Sequence, residues 1–146
     1  MWNVVDNNHD LEQFLESIYY FHDSCIKEMR YISGAYVTEE LSMFPVNVCR
    51  TLSIIIQRQF ADIPMIELEF EGLKYLRLSP AEDPYTCEIL DATMILKQDC
   101  IYWCDCGGLS ETDMNSYDGT VICASKFRWR AISSCMGQER FYKVTM

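Results

Sequence analysis

One stretch near the start of the chain has a helical pattern of apolar residues, whereas most of the remaining chain alternates between apolar and polar positions. The apolar residues of the first pattern recur every three or four positions, at Leu11, Phe14, Leu15, Ile18 and Tyr19. This spacing places them on one face of a helix, so we predict a helix over residues 9–20. Asn7 or Asn8 can cap its start, because a short polar side chain accepts a hydrogen bond from a free backbone N–H there.

Alternation with a period of two predicts strands over the rest of the chain. The predicted strands cover residues 25–33, 46–57, 65–79, 85–97, 100–106, 120–132 and 141–144. Within residues 65–79 we predict a hairpin with its turn at Glu71-Gly72. Three strands have an apolar face: Val46, Val48, Leu52, Ile54 and Ile56; then Leu90, Ala92, Met94 and Leu96; then Val121, Cys123, Phe127 and Trp129.

Alternating strands joined by short turns are typical of an antiparallel sheet with one face in water. Because the helical pattern occurs only at the front, we predict an α+β fold: an N-terminal helix packed on a mainly antiparallel β-sheet, curled into a sandwich or an open barrel. No linker, repeat or low-complexity run divides the chain, so residues 1–146 are expected to form a single domain.

The chain is strongly acidic, with a formal net charge of −10 from 12 basic and 22 acidic residues. Nucleic acids and anionic membranes attract clustered Lys and Arg, so we expect neither as a partner. The first residues lack the basic and apolar regions of a secretory signal. The apolar stretches are far shorter than the ~20 residues that a bilayer requires. These observations predict a cytoplasmic protein.

Eight cysteines are many for 146 residues. A reducing cytosol keeps thiols free, so we expect most of them to pack in strands as small apolar side chains. Cys100, Cys104 and Cys106 would share one face of an extended strand, and with Cys123 they could ligate a metal. Structural zinc sites nearly always use a C-x-x-C or a Cys/His spacing, which is missing here. We therefore expect free thiols, no metal and no cofactor.

Two groups of acidic residues are candidate binding sites for a basic protein, because a negative field speeds encounter with a basic surface. Glu67, Glu69 and Glu71 form a row on one strand face, and Asp105, Glu111, Asp113 and Asp118 crowd one loop. A calcium loop is disfavoured because Asp118 is out of register with that pattern. The alternative is an acidic surface that only keeps the chain soluble. Arg128 and Arg130 can stack on aromatic rings or pair with the glutamate row.

His22 and Asp23 are a neighbouring histidine and carboxylate, as general acid–base catalysis favours. Ser24 or Cys25 could then act as a nucleophile. Adjacent residues of a strand point to opposite faces, however, so four consecutive residues do not make a catalytic site. We expect instead that Asp23 or Ser24 bonds backbone groups at a corner between helix and strand, with the His22 ring packed there.

Two short motifs carry a resemblance to known proteins. The segment Phe21-His22-Asp23-Ser24 follows a short helix, and residues 66–72 read apolar-Glu-apolar-Glu-Phe-x-Gly. Over residues 10–79 the chain resembles small bacterial proteins of unassigned function and certain immunity proteins of polymorphic toxin systems. The resemblance implies a non-catalytic protein that binds another protein, and it identifies no binding residue.

Two classes of function are open from the sequence. One is a non-enzymatic protein-binding module, and the other is a small hydrolase or thiol enzyme that uses His22 with a cysteine. An enzyme would hold His22 in a concave polar pocket with a partner group ~3 Å away, whereas a binding module would expose a flat patch. The exposed edges of a half-open sheet are also compatible with a homodimer.

Overall fold

Seven antiparallel strands form the main sheet in the computed structural model, which describes residues 1–133 and 136–138. The elements in chain order are β1 (Asn3–Val5), α1 (Asn8–Ser17), a 3₁₀ turn (Tyr19–Phe21), β2 (Ser24–Ile32), β3 (Tyr36–Val37), β4 (Met43–Phe44), β5 (Thr51–Arg58), β6 (Met65–Arg77), β7 (Thr93–Lys97), β8 (Cys100–Cys104), α2 (Glu111–Ser116) and β9 (Val121–Ala131). The main sheet has the strand order β2-β5-β6-β9-β8-β7, with β1 also paired to β9, whereas β3 and β4 pair with each other.

The predicted α+β fold, with an N-terminal helix on an antiparallel sheet, is confirmed by this arrangement. Within the described residues the sheet is not closed into a barrel. The strand predicted over 141–144 lies outside the described residues. Neither helix of the described part has the length and apolar character that a membrane span requires.

Helix α1 begins close to its predicted start, at Asn8, but ends at Ser17, before its predicted end. The Asn7 side chain accepts a hydrogen bond from the Asp10 N–H at 2.8 Å, which caps the start. Phe14 is buried at the centre of the packed face, and the centroid of its ring lies 4.8 Å from the centroid of the Trp129 ring. Residues 19–21 have positive φ angles, which end the helical path and leave Tyr19 half exposed rather than on the buried face.

The two central strands bend at Gly72, where the sequence predicts a turn. β6 instead continues as one strand to Arg77, and β9 pairs with it on both sides of the bend. Gly72 has a φ of +63°, and a Cβ there would lie 3.0 Å from the Cβ of Ser125 on β9. The predicted hairpin is wrong because the left-handed backbone of this glycine bends the strand without reversing it.

The bend changes which side chains face the main core. Phe70 and Leu73 both contact it although they are three positions apart along β6, and Ala124 and Phe127 do the same on β9. The predicted apolar face of residues 120–132 is therefore wrong in its first half. Val121 packs outside the main core, in a second cluster with Cys104 and Met114.

β9 is the central strand of the sheet. One of its edges pairs with β6, while the other pairs with β8 through residues 121–124 and with β1 through residues 127–129. A cleft of about 530 Å³ lies beside β9, between β1 and the turn that joins β7 to β8. Apolar side chains such as Leu96 and Phe127 line it together with charged ones such as Lys126.

Two predicted strands begin later than the sequence pattern indicates. β5 starts at Thr51, so Val46 and Val48 are exposed rather than buried. β7 starts at Thr93, and Leu90 is exposed. The segment before β7 is held by other bonds, because the Ile89 N–H donates to the Ser24 carbonyl at 2.8 Å.

Candidate functional site

A run of exposed apolar side chains lies between β2 and β5, in residues 33–50, which we call the apolar arm. Its exposed large apolar residues are Tyr36, Val37, Leu41, Met43, Phe44, Val46 and Val48. Tyr31 and Ile32, at the end of β2, extend the run. Leu41 is 84% exposed and Val48 is 73% exposed. Single exposed apolar residues are ordinary, but a continuous group of this size marks an interaction surface.

The base of the apolar arm is tightly fixed to the sheet. The Ser33 carbonyl accepts hydrogen bonds from the N–H groups of Cys49 and Arg50, at 2.9 and 3.1 Å. Gly34 has a φ of +95°, and a Cβ on it would lie 2.9 Å from the Cys49 nitrogen. Only glycine permits this approach, so the two sides of the arm leave the sheet in contact with each other.

The apolar arm has its own internal order. The Thr38 N–H donates to the Ser42 carbonyl at 2.9 Å, and the Leu41 N–H donates to the Thr38 carbonyl at 2.9 Å. The rings of Tyr36 on β3 and Phe44 on β4 stack with centroids 5.0 Å apart and an interplanar angle of 11°. A surface ordered before binding loses less conformational entropy when a partner docks.

The apolar arm has few charges, and those at its tip are negative. Glu39 and Glu40 lie in the turn that joins β3 and β4, and both are exposed. Between Arg30 and Arg50 the sequence has no lysine or arginine. The predicted strand over residues 46–57 includes the end of this segment, because Val46 and Val48 continue the alternation of β5. Pro45 argues against a strand at this point, because proline has no backbone N–H to donate to a β-ladder.

The first residue of the predicted acidic row, Glu67, is paired with an arginine of the same chain. This side chain is only 4% exposed, and its Oε1 accepts hydrogen bonds from Nε and Nη2 of Arg130, both at 2.6 Å. Its Oε2 accepts a hydrogen bond from the Ser53 hydroxyl at 3.2 Å. Pairing of the row with arginines of β9, one of the sequence-based alternatives, is confirmed.

The rest of the row follows the same pattern. Glu69 accepts hydrogen bonds from Nη2 and Nε of Arg128 at 2.6 and 2.8 Å, and Glu71 lies 3.6 Å from that Nε. Burial raises the pKa of Glu69, against the opposing effect of Arg128. The Trp2 ring covers both arginines, with its centroid 4.3 Å from Cζ of Arg128 and 4.5 Å from Cζ of Arg130. Contact of this row with a basic partner stays a prediction, and such a partner would compete with these arginines.

The predicted acidic loop contains the short helix α2, and two of its acids have local structural partners. Ser110 and Asp113 form a capping box: each side chain accepts a hydrogen bond from the other's N–H, at 3.1 Å. These bonds to Ser110 lower the pKa of Asp113. Asp105 accepts a hydrogen bond from the Tyr117 hydroxyl at 2.6 Å. The S-x-x-D signature at residues 110–113 could have predicted this helix.

The two remaining acids of the loop have different surroundings. Glu111 pairs with Lys97 at 2.9 Å, and this hydrogen bond lowers the pKa of Glu111. Asp118 is exposed after the end of α2. Within residues 1–133 and 136–138, no three His, Cys, Asp or Glu side chains form a group that could hold a metal ion.

His22 and Asp23 lie at the corner between the 3₁₀ turn and β2, where the chain meets the segment before β7. His22 Nδ1 lies 2.6 Å from the Leu90 carbonyl oxygen, and Nε2 lies 3.5 Å from Asp23 Oδ2. The bond to Leu90, followed by the charge of Asp23, raises the pKa of His22. The Asp23 carbonyl accepts a hydrogen bond from the Gln59 N–H at 3.1 Å. The corner is held by backbone hydrogen bonds, but the His22 ring is exposed rather than packed there as predicted.

The cysteines considered as metal ligands are divided between different surroundings. Cys104 is buried beside α2, and Cys106 packs against the same cluster. Cys100 instead accepts a hydrogen bond from Lys74 Nζ at 2.8 Å. The seven described cysteines are all free thiols. The three residues of the predicted group therefore do not face one common centre.

The apolar arm remains the surface whose exposure no contact within the described chain accounts for. The acidic row, the acidic loop and the His22 corner each have partners that explain their geometry. The arm has stacked rings and a fixed base, yet its apolar side chains face water. No family model, no curated protein and no solved structure matches the chain.

Proposed function

We propose that the protein is a non-enzymatic protein-binding module whose contact surface is the apolar arm. The observation that carries the proposal is the continuous run of exposed apolar side chains on an ordered, two-stranded arm. Such a run is unfavourable in water and becomes favourable when a partner covers it. The resemblance to immunity proteins supports the same class of function. Free thiols fit an action in the cytoplasm.

The arm has the residue types that supply most of the energy at protein interfaces. Tyr36, Phe44 and Met43 belong to the types enriched at interface cores. Full burial of one large apolar side chain stabilises a complex by about 1.5–3 kcal/mol. Burial of three arm residues would contribute about 5–9 kcal/mol. This is of the same order as the cost of association, so a specific complex requires burial of most of the arm.

The charge pattern favours a protein partner with an apolar groove and a basic rim. Glu39 and Glu40 flank the apolar tip, and the whole chain has a net charge of −10. Two copies of this chain would bring equal negative charges together, which opposes self-association at low salt. An anionic membrane would repel the same tip. A basic protein gains from both the apolar contact and the field.

The alternative function, an enzyme that uses His22 with a cysteine, has less support in the geometry. His22 is exposed at a corner. It lines neither the cleft beside β9 nor a second cleft, of about 440 Å³, between β1 and α1. Cys25, the nearest thiol in sequence, is half buried, and burial raises the pKa of this thiol. A thiol that resists ionisation is a poor nucleophile.

The proposal is tested with two triple variants that each replace three exposed apolar residues by serine. The arm variant carries Leu41→Ser, Met43→Ser and Val48→Ser. The control variant carries Leu78→Ser, Tyr85→Ser and Leu90→Ser, which are exposed elsewhere. All six residues are at least half exposed, so both variants are expected to keep the stability of the wild type.

Affinity capture from a native lysate is compared for the three proteins, and the captured partner is then purified and titrated. We expect the wild type and the control variant to bind one basic partner. The arm variant should bind it at least about 30-fold more weakly, as loss of an interface hot spot does. Equal binding by the arm variant would refute the proposal. A wild-type dimer that the arm variant abolishes, or arm-dependent binding to phosphatidylglycerol vesicles, would replace the protein partner by a second copy or a membrane.

A further inference from the structure

Two cysteines, Cys100 and Cys123, lie in contact on the sheet face that carries α2, and we call them the thiol pair. Tyr102 on β8 is paired with Cys123 on β9, and Cys100 comes two residues before Tyr102. Alternate residues of a strand share a face, so Cys100 lies diagonally across from Cys123 on the same face. The two side chains make a hydrogen bond with each other. Their sulfur atoms are therefore close enough for one ion to contact both.

A lysine reaches the thiol pair from the other side of β9. Strand β6 has one residue more than β9 between two pairs of their ladder, and this extra residue of a β-bulge is Lys74. Its Nζ donates a hydrogen bond to the Sγ of Cys100 at 2.8 Å. Bulges redirect side chains, and this one brings an ammonium group across β9 to the next strand. The thiol pair is therefore in contact with a positive charge.

The thiol pair is buried on one side and accessible on the other. Cys123 is only 2% exposed, whereas Cys100 is half buried at the start of β8. The Tyr102 side chain makes a hydrogen bond to Cys123, as Lys74 does to Cys100. A small ion can therefore reach the pair from the side of Cys100, and each sulfur already has a supporting contact, as metal sites require.

We propose that Cys100 and Cys123 bind one soft monovalent metal ion, Cu(I), between their sulfur atoms, with Lys74 compensating the charge of the complex. Thiolate sulfur is a soft ligand, and soft ligands select Cu(I). Binding releases one proton from each thiol to water and forms two Cu–S bonds, with no change of oxidation state. The ion and two thiolates together have a single negative charge, which the ammonium group of Lys74 offsets. The site is separate from the apolar arm and does not depend on the function proposed for it.

The number of ligands favours Cu(I) over zinc. Zinc takes three or four protein ligands, and no group of three His, Cys, Asp or Glu side chains exists within residues 1–133 and 136–138. Cu(I) is stable with two thiolates in a linear arrangement, so the thiol pair is a complete site for it. The diagonal placement also favours a bridging ion over a disulfide. Diagonal neighbours have Cα atoms about 7–8 Å apart, whereas a disulfide requires a separation below about 7 Å.

The test titrates the reduced full chain, in the absence of oxygen, with substoichiometric Cu(I) in competition with a coloured Cu(I) chelator. We expect the wild type to hold one equivalent of copper, and X-ray absorption to show two sulfur neighbours for the metal. Cys100→Ser and Cys123→Ala should each lose this copper to the chelator. Cys104→Ala is the matched control, because Cys104 is also buried and lies on β8, and this variant should keep the copper. Urea denaturation of the metal-free variants checks that each one folds.

Three lysine variants test the role of Lys74. Lys74→Met should weaken copper binding roughly 10-fold, as loss of a group that supports a metal ligand does, whereas Lys74→Arg should restore most of the affinity. Lys126→Met removes an exposed lysine of β9 and should leave the affinity unchanged. If Lys74→Met binds copper as tightly as the wild type, the role assigned to Lys74 is wrong.

Several results would overturn the copper site itself. The wild type could yield all its copper to the chelator, Cys100→Ser could retain the copper, or Cys104→Ala could lose it. Three or more sulfur neighbours around the metal would place it at another group of thiols. Conversion of Cys100 and Cys123 to a disulfide on exposure to copper, detected by mass spectrometry, would show oxidation of the thiol pair instead of metal binding.

Discussion

At the scale of single residues, Glu67 is a carboxylate almost fully removed from water and held by one arginine. Removal of one partner of a buried ion pair leaves the other charge without compensation. We expect Glu67→Ala to lower the free energy of unfolding by about 3 kcal/mol, measured by urea denaturation. The control is Glu71→Ala, whose side chain is 40% exposed and should cost under about 1 kcal/mol. Equal losses would show that Arg130 does not depend on Glu67.

His22 gives a second prediction at this scale, on pH dependence. The pKa of His22 is raised in the folded state, first by the Leu90 carbonyl and then by Asp23. The folded state therefore favours the protonated form of His22. This contribution is complete below the unfolded pKa of about 6.5 and is lost as the pH rises through the folded pKa.

We therefore expect the difference in urea midpoint between wild type and His22→Asn to be largest near pH 5.5 and to shrink by pH 8.5. His9→Asn, which changes the other histidine, is the matched control. If the difference in urea midpoint grows with pH, the folded state favours the neutral His22 ring and the prediction is wrong.

Contacts between residues can be predicted from the sequence when the alternation of two correctly predicted strands places both partners on the same face. Arg128 and Glu69 are such a pair, and their contact is confirmed. The Lys74–Cys100 contact was not predicted, because it depends on one extra residue in β6 and on a neighbouring strand that comes much later in the chain. Trp2 over the arginines was missed for the same reason, since β1 pairs with the far end of the sequence.

At the scale of elements, the bend at Gly72 gives a prediction that separates backbone strain from steric clash. Gly72 and Gly108 have similar positive φ angles, +63° and +74°, but only Gly72 would bring a Cβ against a neighbour. We expect Gly108→Ala to cost about 1 kcal/mol from the backbone alone, and Gly72→Ala to cost about 1–2 kcal/mol more. Urea denaturation of both variants measures the difference.

The clash at Gly72 can be relieved independently. Ser125→Gly in the Gly72→Ala background removes the side chain that the new Cβ would meet. This double variant should regain the steric part of the loss and keep the backbone part. If Gly72→Ala costs no more than Gly108→Ala, the close approach of β6 and β9 has no energetic consequence.

Element types were easier to predict from the sequence than element ends. Period-2 alternation identified β2, β5, β6, β8 and β9, and a helical period identified α1. The same alternation continued through Val46 and Val48 although the chain there leaves the sheet. Alternation reports only that a segment can be extended, whereas hydrogen bonds such as those of Ser33 decide where the sheet ends.

At the scale of the whole molecule, the fold class followed from composition and pattern, but the strand order did not. Strands β5 and β6 are neighbours in both sequence and space, as short antiparallel connections favour, whereas β2 pairs with β5 across the apolar arm. The insertion of β9 between β6 and β8 depends on contacts that span much of the chain. The apolar arm, which carries the proposed function, was missed because exposure is a property of the assembled molecule.

The central position of β9 also determines when the protein can fold during synthesis. β6 is complete at Arg77 and β8 at Cys104, but the strand that joins them ends at Ala131. At about 5–20 residues per second, a ribosome leaves the two parts of the sheet unjoined for several seconds after β6 is made. During that interval the nascent chain exposes the core faces of β5 and β6 together with the apolar arm. Production of the protein is therefore expected to depend on chaperones that bind nascent chains, even though the finished fold buries the core residues of β5 and β6.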